Sequence, residues 1–164
     1  MIPGHKAELA EGETVVLQAL RRWIAGSRCK DPRLWSLAWN DLAVTLGSEP
    51  GRDALTALIA MVREICGHAR RPLEYHQPCC PCVCADEACI LALVGACQRR
   101  EPEAAFGLAE WLVLRDGIPG LLDAAGRLAA VLSAQGCTLP SRPTLARQGQ
   151  GASEVWRPAE ATLH

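Results

Sequence analysis

The sequence predicts an all-α fold: a compact bundle of five to six helices with one long Cys-rich loop between helices 3 and 4. Three observations lead there. Six segments carry apolar residues at i, i+3, i+4 and i+7, the spacing of a single helix face. No stretch alternates apolar and polar residues over the length of a strand. The apolar content rests on Leu, Ala, Val and Ile, with only five Trp, one Tyr and one Phe, a balance that favours helix over strand.

The first helix is expected from Ala7 or Thr14 to Ala25, with Val16, Ala19, Leu20 and Trp23 on one face and Gly26-Ser27 as its stop. Asp31 then offers an N-cap carboxylate and Pro32 the preferred first helical residue. This second helix carries the stripe Trp35, Ala38, Trp39, Leu42 and Leu46, so both tryptophans read as core, and Gly47 suits its end. Ser48-Glu49-Pro50-Gly51 reads as a turn. The third helix, Arg52 to His68, repeats Leu55, Leu58, Ile59, Val62, Ile65 and Cys66 at helical spacing.

Beyond the loop, Asp86-Glu87 supplies the carboxylates that suit a helix N-terminus. The run Ala88 to Cys97 is apolar on every side and is therefore expected at the centre of the bundle. Glu101-Pro102 opens the fifth helix, with Ala105, Leu108, Ala109 and Leu112 inward and Trp111 beside them. The sixth, Ile118 to Gln135, follows the cleanest period of all: Ile118, Leu121, Leu122, Ala125, Leu128, Ala129 and Leu132. From Thr138 onward prolines and polar residues show no apolar period. The expected organisation is thus a bundle domain over residues 1–137 and a disordered tail over 138–164, in which Trp156 is the one candidate docking anchor.

Charge and hydropathy exclude several functions. A net charge of -1 provides no basic field for nucleic acid. The pairs Arg21-Arg22, Arg70-Arg71 and Arg99-Arg100 read as cations near helix C-termini, where the dipole favours them. The longest apolar run is far short of the ~20 residues that span a bilayer. The first residues lack the basic flank and apolar core of a secretory signal, so a cytoplasmic protein with no membrane role is expected.

Chemistry concentrates in the loop His76-Gln77-Pro78-Cys79-Cys80-Pro81-Cys82-Val83-Cys84. Nine cysteines are an odd number and cannot all pair internally. In a reducing compartment a thiol cluster points to metal or redox chemistry before a disulfide scaffold. Cys79 and Cys82 have the C-x2-C spacing of a zinc half-site, and Cys80, Cys84, His76, Cys66 and His68 are the candidates to complete it. No second C-x2-C exists, and the adjacent thiols suit bridging thiolates or a site using only some of them. Zinc is the expected cofactor, with Cu(I) or none as the alternatives. Cys66 also falls on the apolar face of its helix, and His68 lies four residues from Glu64, the spacing of a surface pair.

The stretch Cys79-Cys80-Pro81-Cys82 resembles the thioredoxin-type redox motif over its four residues, without the βαβ pattern that surrounds that motif. No nucleophile, base and orienting residue appear in a recognisable order, so an enzyme is not the expectation. The function expected is a metal- or redox-responsive binding or regulatory module. A helical adaptor for another protein, with structural cysteines, is the alternative, and a thiol-disulfide oxidoreductase stands behind both.

Overall fold

A computed structural model describes residues 4–141 and 154–156 of the chain. Six helices form the body: α1 (Glu11–Cys29), α2 (Pro32–Leu46), α3 (Ser48–His68), α4 (Ala85–Gln98), α5 (Pro102–Leu112) and α6 (Ile118–Ala134). The all-α bundle expected from the period of the sequence is the observed architecture. Helix α1 packs on α2, α2 on α3, and α3 on α6, while α4 lies against both α5 and α6. Leu93 and Val94 of α4 are wholly buried, in keeping with a helix that has no polar face. The apolar stripe of α6 is buried along its length, from Ile118 through Leu121, Ala125 and Leu128 to Leu132.

Three local expectations are corrected. Gly26 does not stop α1, which runs on to Cys29 and ends at Lys30 in the left-handed conformation. Gly26 is instead a contact point: a Cβ there would lie 2.7 Å from Cδ1 of Trp35. Ser48-Glu49-Pro50-Gly51 is no turn but the opening of α3. Pro50 sits in the first helical turn, where its missing N–H has no intrahelical acceptor to lose. Trp39 is not core; it is 38 % exposed, and the buried line of α2 is Ala38, Leu42 and Leu46. Trp35 is half-buried and its ring stands 5.6 Å from that of Trp23.

Two small strands escaped the sequence pattern. β1 (Leu73–Tyr75) lies inside the loop and pairs antiparallel with β2 (Glu154–Trp156), Leu73 opposite Trp156 and Tyr75 opposite Glu154. The packed body also passes the boundary expected at residue 137. Leu139 is buried, and its N–H donates to Oε1 of Gln98 at 2.8 Å. The disorder expected over residues 142–153 and 157–164, and the anchoring role of the Trp156 side chain, lie outside the described residues. Among the described residues no helix is long and apolar enough to cross a membrane.

The crossing of α2 on α3 yields a stability prediction. A Cβ on Gly51 would come 2.8 Å from the backbone of Ala43, whereas one on Gly107 of α5 meets nothing within 4 Å. Gly51→Ala should therefore cost about 1–3 kcal/mol by forcing the helices apart. Gly107→Ala should stabilise by roughly 0.5–1 kcal/mol through helix propensity alone. Urea unfolding of the two variants checks both signs.

Candidate functional site: the thiol loop and its buried frame

The loop between α3 and α4 is framed by two buried carboxylates at the start of α4. Cys84 is the N-cap of that helix, and Asp86 and Glu87 fall in its first turn. Glu87 is wholly buried, and so is Arg21, from the middle of α1. Their side chains meet in two parallel bonds, Nε to Oε1 at 2.7 Å and Nη2 to Oε2 at 2.8 Å. This is the planar fork-to-fork pairing that only a guanidinium supplies.

The same pair holds the loop backbone. Arg21 donates from Nη1 to the carbonyl of Cys80 at 2.8 Å, and from Nη2 to that of Cys82. Glu87 accepts from the N–H of His76 at 2.9 Å and from the N–H of Cys84 at 3.0 Å. The irregular segment thus finds acceptors and donors on two buried charges instead of water, as buried backbone must.

Asp86 turns the other way. It takes both outer nitrogens of Arg71, the N–H of Glu74 at 2.9 Å and Nε1 of Trp111 at 3.3 Å. Arg71 in turn lies 5.3 Å above the Trp111 ring, a cation–π contact. Trp111, expected beside the inward residues of α5, is 44 % exposed on this account. The N–H groups of Glu74 in β1 and of His76 just past its end both point at α4, while the opposite edge of the strand carries β2.

A segment ahead of α1 closes over the loop. His5 forms an isolated antiparallel bridge with Cys82. The bridge has two bonds, Lys6 N–H to the Pro81 carbonyl at 2.7 Å and Val83 N–H to the Gly4 carbonyl at 2.8 Å. Nζ of Lys6 reaches the Pro78 carbonyl at 3.0 Å and the side chain of Gln18. Burial, and then the charge of Arg21, lower the pKa of this lysine below its ordinary value.

On this frame the thiols divide into two classes. Cys79 and Cys82 are exposed and Cys80 is half-buried. The Cys82 thiol is raised by desolvation and then by the neighbouring Cys80. Cys84 is buried, with its sulfur 3.1 Å from the Glu74 carbonyl, and burial followed by the Glu87 charge pushes it well above the ordinary thiol range. Burial pushes Cys66 and Cys89 up to about 12. The thiol that bears on Cys82 is therefore Cys80, its C-x-C neighbour, in addition to Cys79 of the C-x2-C that the sequence emphasises.

The other candidate ligands are placed apart from that contact. His76 is buried beside the Glu87 frame. Cys66 packs against the core from the last turns of α3. His68 lies over Gly117, where a Cβ would meet its own Cβ at 2.4 Å, and its Nε2 is 3.7 Å from Glu64. Among the described residues no group of three or more His, Cys, Asp or Glu is drawn together as a metal cage.

Sequence reasoning missed Arg21, Glu87, Asp86 and His5 as members of the site. Arg21 reads as one of a pair of cations near a helix C-terminus, whereas it sits mid-helix and wholly buried. The legible signal was its position four residues after Leu17 and three before Ile24, on the apolar face of α1. A charge on that face requires a buried partner.

Two predictions follow from burial. Arg21→Met leaves Glu87 as an unpaired buried carboxylate and should cost about 3–5 kcal/mol in urea unfolding. Arg22→Met removes only a partly exposed contact with Asp41 and should cost about 1 kcal/mol or less. For the thiols the sign is simple: the further burial raises a pKa above the buffer pH, the smaller the thiolate fraction and the slower the alkylation. With the native protein at pH 8, iodoacetamide should label Cys29 and Cys79 first, while Cys66, Cys84 and Cys89 stay unlabelled until the protein is unfolded. Peptide mass spectrometry reads the order.

Comparisons with protein families, with curated proteins and with solved structures found no match, so the site's own chemistry carries the functional reading.

Proposed function

We propose that this chain is a small cytoplasmic module that binds one soft cation, zinc or Cu(I), through the thiols of its loop and passes the bound state to a protein partner. It acts by binding, not by catalysis. The observation that carries the reading is the crowding of Cys79, Cys80 and Cys82, two of them exposed, on a loop whose backbone is already satisfied by Arg21 and Glu87. Thiolates select soft metals, and two of them side by side repel unless a proton or a cation lies between. The exposed Cys79 is the third donor within the same loop. Cys84, His76, Cys66 and His68 contribute only if the loop rearranges, since each is buried or engaged elsewhere.

The metal is not required as a staple. A loop ordered by its own protein frame does not need a metal to fold it, which suits reversible, sensing-type binding better than a metal that folds the chain. The half-buried Cys80 and the exposed Cys82, two residues apart, support a second reading, a dithiol switch. There the two thiols become a disulfide and a hydroperoxide takes up two electrons and two protons, leaving an alcohol and water.

Protein purified without oxygen should carry close to one equivalent of zinc or Cu(I) by elemental analysis. Cys82→Ser should lose most of that metal, and Cys97→Ser, a change at a half-buried position packed on the core, should keep it. Residues 72–85 should resist protease with or without chelator, because the frame remains. A chain that takes up neither cation, or equal losses from both substitutions, overturns the metal reading. A loss of two free thiols after one equivalent of hydroperoxide then selects the switch.

A further inference from the structure

The two edges of β1 are used differently. On the α4 side the Glu74 N–H donates to Asp86 at 2.9 Å and the Glu74 carbonyl meets the Cys84 sulfur at 3.1 Å. The His76 N–H, on the same side, donates to Glu87 at 2.9 Å. Backbone groups of successive residues point to opposite edges of a strand, so those of Leu73 and Tyr75 face the other edge, where residues 154–156 pair with them. Leu73 with Trp156 and Tyr75 with Glu154 are thus the hydrogen-bonded pairs of this ladder. The N–H groups of residues 154 and 156 point at β1, and that of Val155 points away.

Strand β1 is fixed from sides other than β2. The Leu73 and Tyr75 side chains are buried in the bundle, and the Tyr75 hydroxyl accepts from Nη1 of Arg28 at 2.9 Å. The buried carboxylates of Asp86 and Glu87 hold the α4 side. A row of N–H and C=O groups fixed in this way is a template for another strand. β2 is three residues long and follows the bundle across the twelve residues 142–153. A two-stranded pairing of that length is marginal in water by itself. Covalent attachment supports it by keeping the segment at a local concentration on the order of millimolar.

We propose that the outer edge of β1 is a docking site for an extended segment of a partner protein, and that residues 154–156 fill it in the free chain until such a segment displaces them. The mode is strand addition, in which main-chain bonds give affinity and alternate side chains give selectivity. The register dictates what the partner segment must be. It runs antiparallel to β1 and needs an N–H at the residues opposite Leu73 and Tyr75, so neither is proline. Those two residues share the face on which Leu73 and Tyr75 enter the core, and an apolar residue suits the position opposite Leu73. An acidic residue suits the position opposite Tyr75, whose hydroxyl carries the Arg28 guanidinium. The docking edge is built from backbone and does not depend on the state of the thiols.

A fluorescent peptide of residues 152–158, titrated into the full chain, tests this. Trp156→Pro provides the opened form, since proline removes the N–H that donates to Leu73. In the wild type, backbone amide exchange should be slow at Leu73, Glu74, Tyr75 and His76. In Trp156→Pro it should quicken at Leu73 and Tyr75 and stay slow at Glu74 and His76, which donate to Asp86 and Glu87. The peptide should bind the opened chain about tenfold more tightly than the wild type and slow the exchange again at Leu73 and Tyr75. N-methylation of the peptide at residue 154 or 156 should abolish binding, and at residue 155 should leave it, an alternation that side-chain docking would not produce. If Glu74 and His76 exchange as fast as Leu73 in Trp156→Pro, the edge does not exist without β2 and the inference fails. No binding to the opened chain at millimolar peptide, or binding indifferent to N-methylation at 154 and 156, overturns it as well. A wild type that elutes as a dimer beside a monomeric Trp156→Pro assigns the edge to a second copy's strand and overturns the role of residues 154–156 as an occupant within one chain.

Discussion

The ion pair of Arg21 with Glu87 is the constraint on which the loop side of the molecule depends. Two ions placed where no water reaches them are costly unless every remaining donor and lone pair is engaged. Here each ion completes its coordination with the loop backbone, the guanidinium with carbonyls and the carboxylate with N–H groups. The loop helps in turn by containing Pro78 and Pro81, two residues with no N–H to satisfy. The pair and the loop satisfy each other, so α1, α4 and the loop that leads into α4 form one polar unit inside an apolar bundle.

Asp86 and Glu87 extend that unit in two directions from consecutive positions. A helix N-terminus favours negative charge, so the first turn of α4 is where two carboxylates can be buried side by side at least expense. One fixes β1 through Glu74 and Arg71, the other fixes the thiol segment through His76 and Cys84. The consequence for chemistry is a division of labour among the cysteines. Those that pack, Cys66, Cys84 and Cys89, are held protonated by burial, and the frame lifts Cys79 and Cys82 to the surface.

The helices were legible because each buries a face whose period is local. Asp31 as N-cap of α2, with its carboxylate on the Arg33 N–H, follows directly from the residue types. The same local reasoning misplaced Pro50 and Gly26, since a Pro in a first helical turn and a Gly against a neighbour's ring look like breakers in sequence. The site was legible only as a cluster of thiols. Its frame joins residues that no local window contains: Arg21 with Glu87, and His5 with Cys82. Glu87 was readable as a helix-terminal charge but not as a counter-ion, because its partner lies on another helix.

The junction at Gly47 has a consequence for how this fold can vary. One residue, with φ of 94°, ends α2 by donating to the Ala43 carbonyl and starts α3 by accepting from the Gly51 N–H. No spacer separates the two helices. Adding a single residue after it would turn the face of α3 by about 100° and present charged side chains to α6. Deleting it would remove the one position whose backbone can make the corner. Length changes in this molecule are therefore confined to its other connections, and any lengthened or shortened form that keeps the bundle must keep this corner at one glycine.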